Sequence, residues 1–184
     1  MKIHLGNVSN VYNYETANFW HNQGADRVVI SRELSIKEIE MILELPLHEK
    51  QKTYFQDLLK AAKPVKIVRA ADVLNDYELE YIQHVLKPQP KKCYRNAHLL
   101  CEAFPDRFQY CEGKVNVPIP IDHAFNKVGD VYIDITFEFA LHENPSIYEY
   151  VTFGEYDAKT IRKAVLETGY YGGIYNWLYY KRKK

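Results

Sequence analysis

Three residues with the chemistry of a thiol nucleophile occur in order along this chain: Cys93, His123 and Asp134. A cysteine is nucleophilic as its thiolate, and both a nearby imidazolium and a helix N-terminus favour that form. A histidine can take the thiol proton and later protonate a leaving group, while an aspartate fixes the tautomer of the imidazole. We therefore interpret Cys93 as a candidate nucleophile, His123 as its base and Asp134 as the acid that orients the base.

The element that carries the cysteine is predicted to be a helix. Pro88 and Pro90 precede Cys93 and discourage helix, whereas from Cys93 onward apolar residues recur at three- and four-residue steps. This pattern predicts that Cys93 lies in the first helical turn, where backbone amides lack intrahelical acceptors. The backbone N–H of Cys93 or Tyr94 is therefore a candidate donor to an oxyanion.

The histidine and the aspartate are predicted to lie on the two strands of a hairpin. Residues 118–128 form an extended run, Gly129 and Asp130 signal a tight turn, and residues 131–139 alternate between apolar and polar side chains. A hairpin closed near Gly129 can bring His123 and Asp134 within side-chain reach. Asp122 and Asp130 lie nearer the turn and are the alternatives to Asp134.

Three short motifs resemble the transglutaminase-like branch of the papain-like cysteine protease superfamily. They are Cys93 with the small residue Ala97 four positions on, His123-Ala124-Phe125, and Asp134-Ile135-Thr136. They occur in the family's order within residues 89–139. The chain departs from the family in that Phe125 stands where tryptophan is common.

The resemblance implies an α+β fold with a papain-like or transglutaminase-like core. In such a core, a helix that carries the cysteine packs on an antiparallel sheet that carries the histidine and the aspartate. The resemblance further implies a thiol-dependent amide or peptide hydrolase, or an acyl transferase, that works through Cys93, His123, Asp134 and a thioester. Its substrate would be a protein, a peptide or another amide, and no cofactor is expected. The side chain of Gln89 is a candidate oxyanion donor by the same resemblance, with a simple loop glutamine as the alternative. Asn96 stands where the family commonly has an aromatic residue, and we keep it as a candidate supporting residue.

Structural interpretations of the same residues remain open. Cys93 can be a buried structural thiol, because free cysteine is among the most buried residue types. A zinc site is a further alternative, although no CxxC pair supports it. Its four ligands would be Cys93, Cys101, Cys111 and His123.

The composition points to a folded protein without an obvious charged partner. The chain has 184 residues, of which 47% are hydrophobic and 14% aromatic, and its formal net charge is zero. A neutral chain has no broad attraction to nucleic acid, which makes nucleic acid an unexpected partner. The sequence has no apolar run long enough to span a membrane and no signal-peptide pattern. Because the three cysteines are an odd number at uneven spacing, we predict a reducing compartment, the cytoplasm.

Residues 1–45 are predicted to form a β-α-β-α segment. Strands are expected at residues 2–5 and 26–30 and helices at 14–23 and 35–45, the second opened by a capping box of Ser35 and Glu38. Residues 10–42 resemble one unit of the collagenase-like peptidase family, whose members are (β/α) barrels and include enzymes involved in RNA hydroxylation. One unit cannot close a barrel of eight, so no catalytic residue is transferred. We predict two parts, residues 1–45 and a transglutaminase-like domain at 46–184.

The remaining segments are predicted to form elements that surround the candidate site. Helices are expected at residues 47–63, 75–86 and 158–167, and strands at 65–68, 108–112, 114–117 and 148–153. Asn75 or Asp76 is expected to cap the second of these helices, whereas Asp157 is expected to cap the third and Gly169 to end it. The C-terminus is rich in tyrosine and closes with a basic run. The alternative function is therefore a catalytically inactive binding module of the same fold, which would contact a protein or nucleic acid through this Tyr-rich basic C-terminus.

Overall fold

The computed structural model describes residues 56–117 and 119–182, together with His4–Leu5, Phe19, Asn22, Arg27–Val28 and Lys37. Residue contacts divide the chain into two units. The first comprises Met1–Ala61 and Asn116–Asp122, and the second comprises Ala62–Val115 and His123–Lys184. All three residues of the predicted thiol site belong to the second unit. The predicted boundary between residues 45 and 46 stays a prediction.

The described part of the first unit contains fragments of the predicted N-terminal segment. Strand β1 (His4–Leu5) pairs in parallel with β2 (Arg27–Val28). Phe19, Asn22 and Lys37 are helical, as are residues 56–61. Most of the predicted β-α-β-α segment, including the capping box at Ser35, lies outside the described residues.

A five-stranded sheet forms the centre of the second unit, with the strand order β3-β7-β4-β5-β6. The β3–β7 and β5–β6 pairs are antiparallel. The strands are β3 (Lys63–Val65), β4 (Phe108–Val117), β5 (Ile119–Val128), β6 (Val131–Ile133) and β7 (Glu149–Tyr156). Helices accompany this sheet, and its assignment to a papain-like core stays a prediction.

The predicted strand at residues 65–68 is displaced in the structure. β3 ends at Val65, and the chain then leaves β7 and bridges in parallel from Ile67 to Tyr132 on β6. The backbone N–H of Val68 donates to the carbonyl of Tyr132 at 2.8 Å. Because β3 and β6 are the two ends of the strand order, this bridge brings the sheet's edges together and curls the sheet.

Two further strand predictions are corrected. The strands predicted on either side of Gly113 are one continuous strand, β4, because glycine allows the carbonyl of Val151 on β7 to approach where a Cβ would overlap it. The strand predicted at 131–139 ends at Ile133. It ends there because the Asp134 carboxylate accepts the N–H groups of the next turn, which opens the π-helical turn Thr136–Ala140.

The helices of the second unit begin and end at residues that the sequence signals. Helix α1 (Asp76–Glu80) begins with the capping box of Asn75 and Glu78 and continues into the π-helical turn Tyr81–Leu86. Helix α2 is Cys93–Ala103. Helix α3 (Ala158–Thr168) begins with Asp157, whose carboxylate accepts the Thr160 N–H at 2.7 Å, and ends at Gly169 with φ of +79°. Helix α4 is Ile174–Arg182.

Helices α2 and α3 share an apolar core with the sheet. The buried members of this core include Ala97, Leu100, Cys101, Phe108, Ala124, Ile133, Ile161 and Ala164. Burying such side chains contributes about 25 cal/mol per Å² of apolar surface, which favours the contact of α2 with the sheet. Among the described residues we find no helix with the length and apolarity to cross a bilayer.

Candidate active site

His123 and Asp134 form a buried pair at the end of the β5–β6 hairpin that lies away from the turn. The turn at Gly129, with φ of +58°, sets a register in which Asn126 lies opposite Ile133. Asp134 therefore directly follows β6, and its Oδ2 lies 2.6 Å from Nε2 of His123. His123 is 3% exposed and Asp134 is 0% exposed, so the pair interacts without screening by water. Asp130, by contrast, is exposed in the turn.

The Asp134 carboxylate is held by three further donors. The hydroxyl of Tyr150 donates to Oδ2 at 2.9 Å, and the N–H groups of Thr136 and Phe137 donate to Oδ1 at 2.9 and 3.2 Å. With the imidazole, these contacts hold both carboxylate oxygens of Asp134 in one orientation. Tyr150 lies on β7, and nothing in its sequence spacing predicted that it would reach this group.

The His123 side chain contacts both Asp134 and Cys93. Its Nε2 faces Asp134, and its side chain also hydrogen-bonds Cys93. Burial disfavours the imidazolium, but the charge and hydrogen bond of Asp134, with the Cys93 contact, raise the pKa of His123 to about 10. Because Nε2 is occupied, Nδ1 is the ring nitrogen left for the sulfur. The ring of Phe137 packs edge-on against His123 at 5.3 Å.

Cys93 is the first residue of α2 and is partly exposed. The N–H of Asn96 makes the first bond of this helix, to the Lys92 carbonyl at 2.8 Å, so the amides before Asn96 lie in the turn that lacks intrahelical acceptors. Cys101 and Cys111 are fully buried. Burial raises the pKa of Cys101 to about 12 and raises that of Cys111 further. Cys93 is therefore the most accessible of the three thiols.

Asn96 and Gln89 stabilise the start of α2. The Asn96 side chain exchanges two hydrogen bonds with the backbone of Gln89, at 2.8 and 3.2 Å, and its Nδ2 also donates to the Thr136 hydroxyl at 3.1 Å. Asn96 thus joins the segment before Cys93 to the turn after Asp134. These Gln89 contacts run through its backbone, and the oxyanion role of its side chain stays a prediction.

Tyr94 lies beneath the segment that leads into α4. Its ring packs so closely on Gly172 that a Cβ there would lie 2.7 Å from Cδ1 of the ring, and Gly172 has φ of +93°. Glycine suits both the left-handed backbone and the close approach. The oxyanion role predicted for the Tyr94 backbone stays a prediction.

Glu112 joins α4 to the central sheet. Its carboxylate accepts the N–H groups of Ile174 and Tyr175, both at 3.1 Å, and the hydroxyl of Tyr110 at 2.9 Å. Burial raises the pKa of Glu112, whereas these hydrogen bonds act in the opposite direction. The carboxylate therefore occupies the N-terminal end of α4, where the helix dipole favours negative charge.

Asn126 is a further supporting residue that the sequence did not identify. It is fully buried on β5, and its Nδ2 donates to the carbonyl of Ala97 at 2.9 Å. This bond connects the middle of α2 with the strand that carries His123. Asn126 therefore helps to set the position of Cys93 relative to the imidazole.

The zinc alternative finds no support in the described part of the chain. No group of three or more His, Cys, Asp or Glu side chains there could hold a metal ion.

Two comparisons with known proteins concern the N-terminal part of the chain. Residues 1–56 match the profile of Peptidase family U32. Over 42 residues, the chain is 50% identical to "tRNA hydroxylation protein P" of Escherichia coli (strain K12), a stretch that is 23% of this chain and 9% of that protein. These findings confirm the similarity of the N-terminal segment to the collagenase-like peptidase family. The chain spans under a tenth of that relative's length.

The comparisons do not extend to the thiol site. The family match ends at residue 56, before Cys93. No solved structure matches the chain. The transglutaminase-like resemblance of residues 89–139 is thus unsupported by the comparisons and stays a prediction.

Proposed function

We propose that this protein is a thiol-dependent hydrolase or acyl transferase that acts on amides or peptides. The observation that supports it is His123, a buried imidazole that contacts Cys93 on one side and Asp134 on the other. The partial exposure of Cys93 provides access for a substrate. The match of residues 1–56 to a peptidase family supports a hydrolytic role loosely.

The first step forms a thioester. The Cys93 thiolate attacks the substrate carbonyl carbon, and the C=O electron pair moves to the oxygen. The backbone N–H of Cys93 is a candidate donor to that oxygen, because helix N-termini favour developing negative charge. Collapse of the tetrahedral intermediate expels the amine, which takes a proton from His123. Asp134 keeps the ring oriented and charged until that proton leaves.

The second step regenerates the thiolate. Water or a second amine attacks the thioester carbon and gives its proton to His123, and the C–S bond breaks. Hydrolysis and transfer thus share the same residues and differ only in the acceptor. The substrate class, a protein, peptide or other amide, belongs to the same proposal, as does an intracellular setting in which the thiol stays reduced.

Thiol labelling tests the first requirement of this mechanism. We expect iodoacetamide at about pH 6 to label Cys93 at least tenfold faster than free cysteine, because a neighbouring imidazole activates a thiol nucleophile. Cys101 and Cys111 serve as internal controls, since both are buried. His123→Gln should remove the advantage. Labelling of Cys93 at the rate of free cysteine, or unchanged labelling in His123→Gln, would contradict the proposal.

An activated ester tests the covalent intermediate. p-Nitrophenyl acetate should give a burst of nitrophenol and an acetyl group on Cys93, detected by mass spectrometry. Added amine should divert the acetyl group of the thioester from acetate to an amide product if the protein transfers acyl groups, and should leave acetate as the product if it only hydrolyses. The absence of an adduct on Cys93, or an equal burst in Cys93→Ala, would favour the binding module that uses the Tyr-rich C-terminus.

A further inference from the structure

A cavity of about 560 Å³ lies in the second unit and contains none of the three residues of the thiol site. Its volume is within the range of small-molecule pockets in proteins. Three stretches of chain form its wall: the turn after β3, the helical turns that precede α2, and the π-helical turn after Asp134. The ionisable residues of its lining are Arg69, Lys87, Glu138 and His142.

Basic side chains outnumber acidic side chains in the lining of this cavity. Glu138 is the one acidic residue of its lining. Its Oε2 accepts the backbone N–H of Ala70 at 2.6 Å, and its Oε1 lies 3.6 Å from the guanidinium of Arg69. Glu138 therefore orients Arg69 at the wall and compensates one positive charge. Lys87 and His142 then add basic groups that Glu138 does not contact.

Lys87 and His142 share an unusual backbone conformation. Their φ angles are +49° and +57°, in the left-handed region that glycine adopts at little cost. A side chain at such a position strains the backbone, and strained positions cluster at ligand-binding sites. Glycine would serve both turns with less strain. Instead each position carries a basic side chain, and both side chains line the same cavity.

The walls of the cavity continue into the segments that support the thiol site. Pro88, on one wall, precedes Gln89, whose backbone is bonded to Asn96. Phe139, on the other wall, follows Phe137, which packs on His123. A ligand in the cavity would therefore contact the turns that hold both ends of the site.

We propose that this cavity binds a small molecule through an anionic group, a carboxylate or a phosphate. A guanidinium offers parallel N–H donors that match either group, and a lysine ammonium adds a compact charge. Gln83 supplies an amide at the same wall for the neutral part of the ligand. Neither Cys93 nor His123 lines this cavity, so the binding proposal can be tested independently of the thiol chemistry.

Titration calorimetry at low salt with pyrophosphate and, separately, with citrate tests this site. We expect saturable binding of one probe or both, and the tighter one identifies phosphate or carboxylate as the preferred group. Lys87→Gly and His142→Gly should each weaken binding by about tenfold, which corresponds to about 1.4 kcal/mol for the loss of one hydrogen-bonding side chain. Cys93→Ala should bind as the unaltered protein does.

The same two variants separate binding from folding. Because glycine adopts a positive φ with less strain, Lys87→Gly and His142→Gly should raise the urea midpoint of unfolding, although they weaken the binding of the probe. Lys159→Gln, an exposed lysine that does not line the cavity, is the matched control and should leave binding unchanged. The inference is overturned if neither probe saturates, if the two glycine variants bind with unaltered affinity, or if Lys159→Gln weakens binding equally.

Discussion

The hydroxyl of Tyr150 donates a hydrogen bond of 2.9 Å to Oδ2 of Asp134, the oxygen that also faces the imidazole. Burial first, and then the charge of Asp134, raises the pKa of Tyr150, so the hydroxyl stays a donor. Two donors on one oxygen restrict the rotation of the carboxylate. Tyr150 belongs to β7, which lies three positions away from β6 in the strand order. The orientation of the imidazole therefore depends on a strand outside the hairpin.

Tyr150→Phe tests this dependence. The variant removes one donor from a buried carboxylate, and we expect the free energy of unfolding to fall by about 1–3 kcal/mol, as for hydrogen bonds to charged groups. Cys93 labelling by iodoacetamide should slow as the imidazole loses its fixed orientation. Tyr148→Phe is the matched control, because that hydroxyl donates to the exposed Glu143. Equal labelling rates in both variants would show that Tyr150 has no positioning role.

The dependence of stability on pH follows from the raised pKa of His123. Between pH 6.5 and pH 10 the folded protein keeps a proton that the unfolded chain releases, so the free energy of unfolding falls as pH rises. This contribution is fully present below pH 6.5 and is lost as pH rises through about 10. Urea unfolding at several pH values in this window measures the slope.

A pair of variants isolates the contribution of His123 to that slope. His123→Gln should flatten the decline, since glutamine does not titrate. His84→Gln, at an exposed position, should retain the slope of the unaltered protein. A decline that persists undiminished in His123→Gln would assign the effect to other groups.

Asn126 allows an isosteric test of how α2 is held on the sheet. Asn126→Asp replaces the Nδ2 donor by an oxygen that faces the carbonyl of Ala97, in a fully buried position. We expect a loss of at least about 2 kcal/mol in the free energy of unfolding, because a buried polar group is left unpaired. Asn144→Asp, on an exposed turn, should change stability by less than about 0.5 kcal/mol. Chemical denaturation of the two variants compares them directly.

Two glycines are required for different reasons: Gly113 because there is no space for a side chain, and Gly129 because its φ is positive. Gly113→Ala would place a methyl group against the carbonyl of Val151 and force β4 and β7 apart, so we expect a loss above about 3 kcal/mol or failure to fold. Gly129→Ala has free space around it and φ of +58°, so its cost is conformational, about 1–2 kcal/mol. Thermal unfolding should rank the two in this order, and the reverse ranking would contradict the close approach at Gly113.

Local signals in the sequence predicted the local structure well. The caps at Asn75 and Asp157 and the helix end at Gly169 are confirmed, because each depends on residues within one turn of the chain. The turn at Gly129 is confirmed for the same reason. The start of α2 at Cys93 also follows from its flanking prolines and apolar periodicity.

The features that the sequence did not predict depend on one local side-chain interaction and on contacts between distant parts of the chain. The alternation of residues 131–139 suggested a strand, but the side chain of Asp134 accepts the N–H groups of Thr136 and Phe137, and the backbone turns there. Tyr150 contacts Asp134 because of the order of the strands in the sheet, and local sequence patterns do not predict that order. The curl of the sheet depends on the bridge from Ile67 to Tyr132, which are 65 positions apart.

The hydrogen bonds of Glu112 also have a consequence for the order in which the chain folds during synthesis. Its carboxylate is enclosed by amides that lie 62 and 63 positions further along the chain. On the ribosome, β4 is therefore synthesised long before the two amides that hydrogen-bond its buried carboxylate. Until those amides are synthesised and dock, the carboxylate must stay hydrated or hold a proton, so this part of the molecule cannot close before residues 174 and 175 are made.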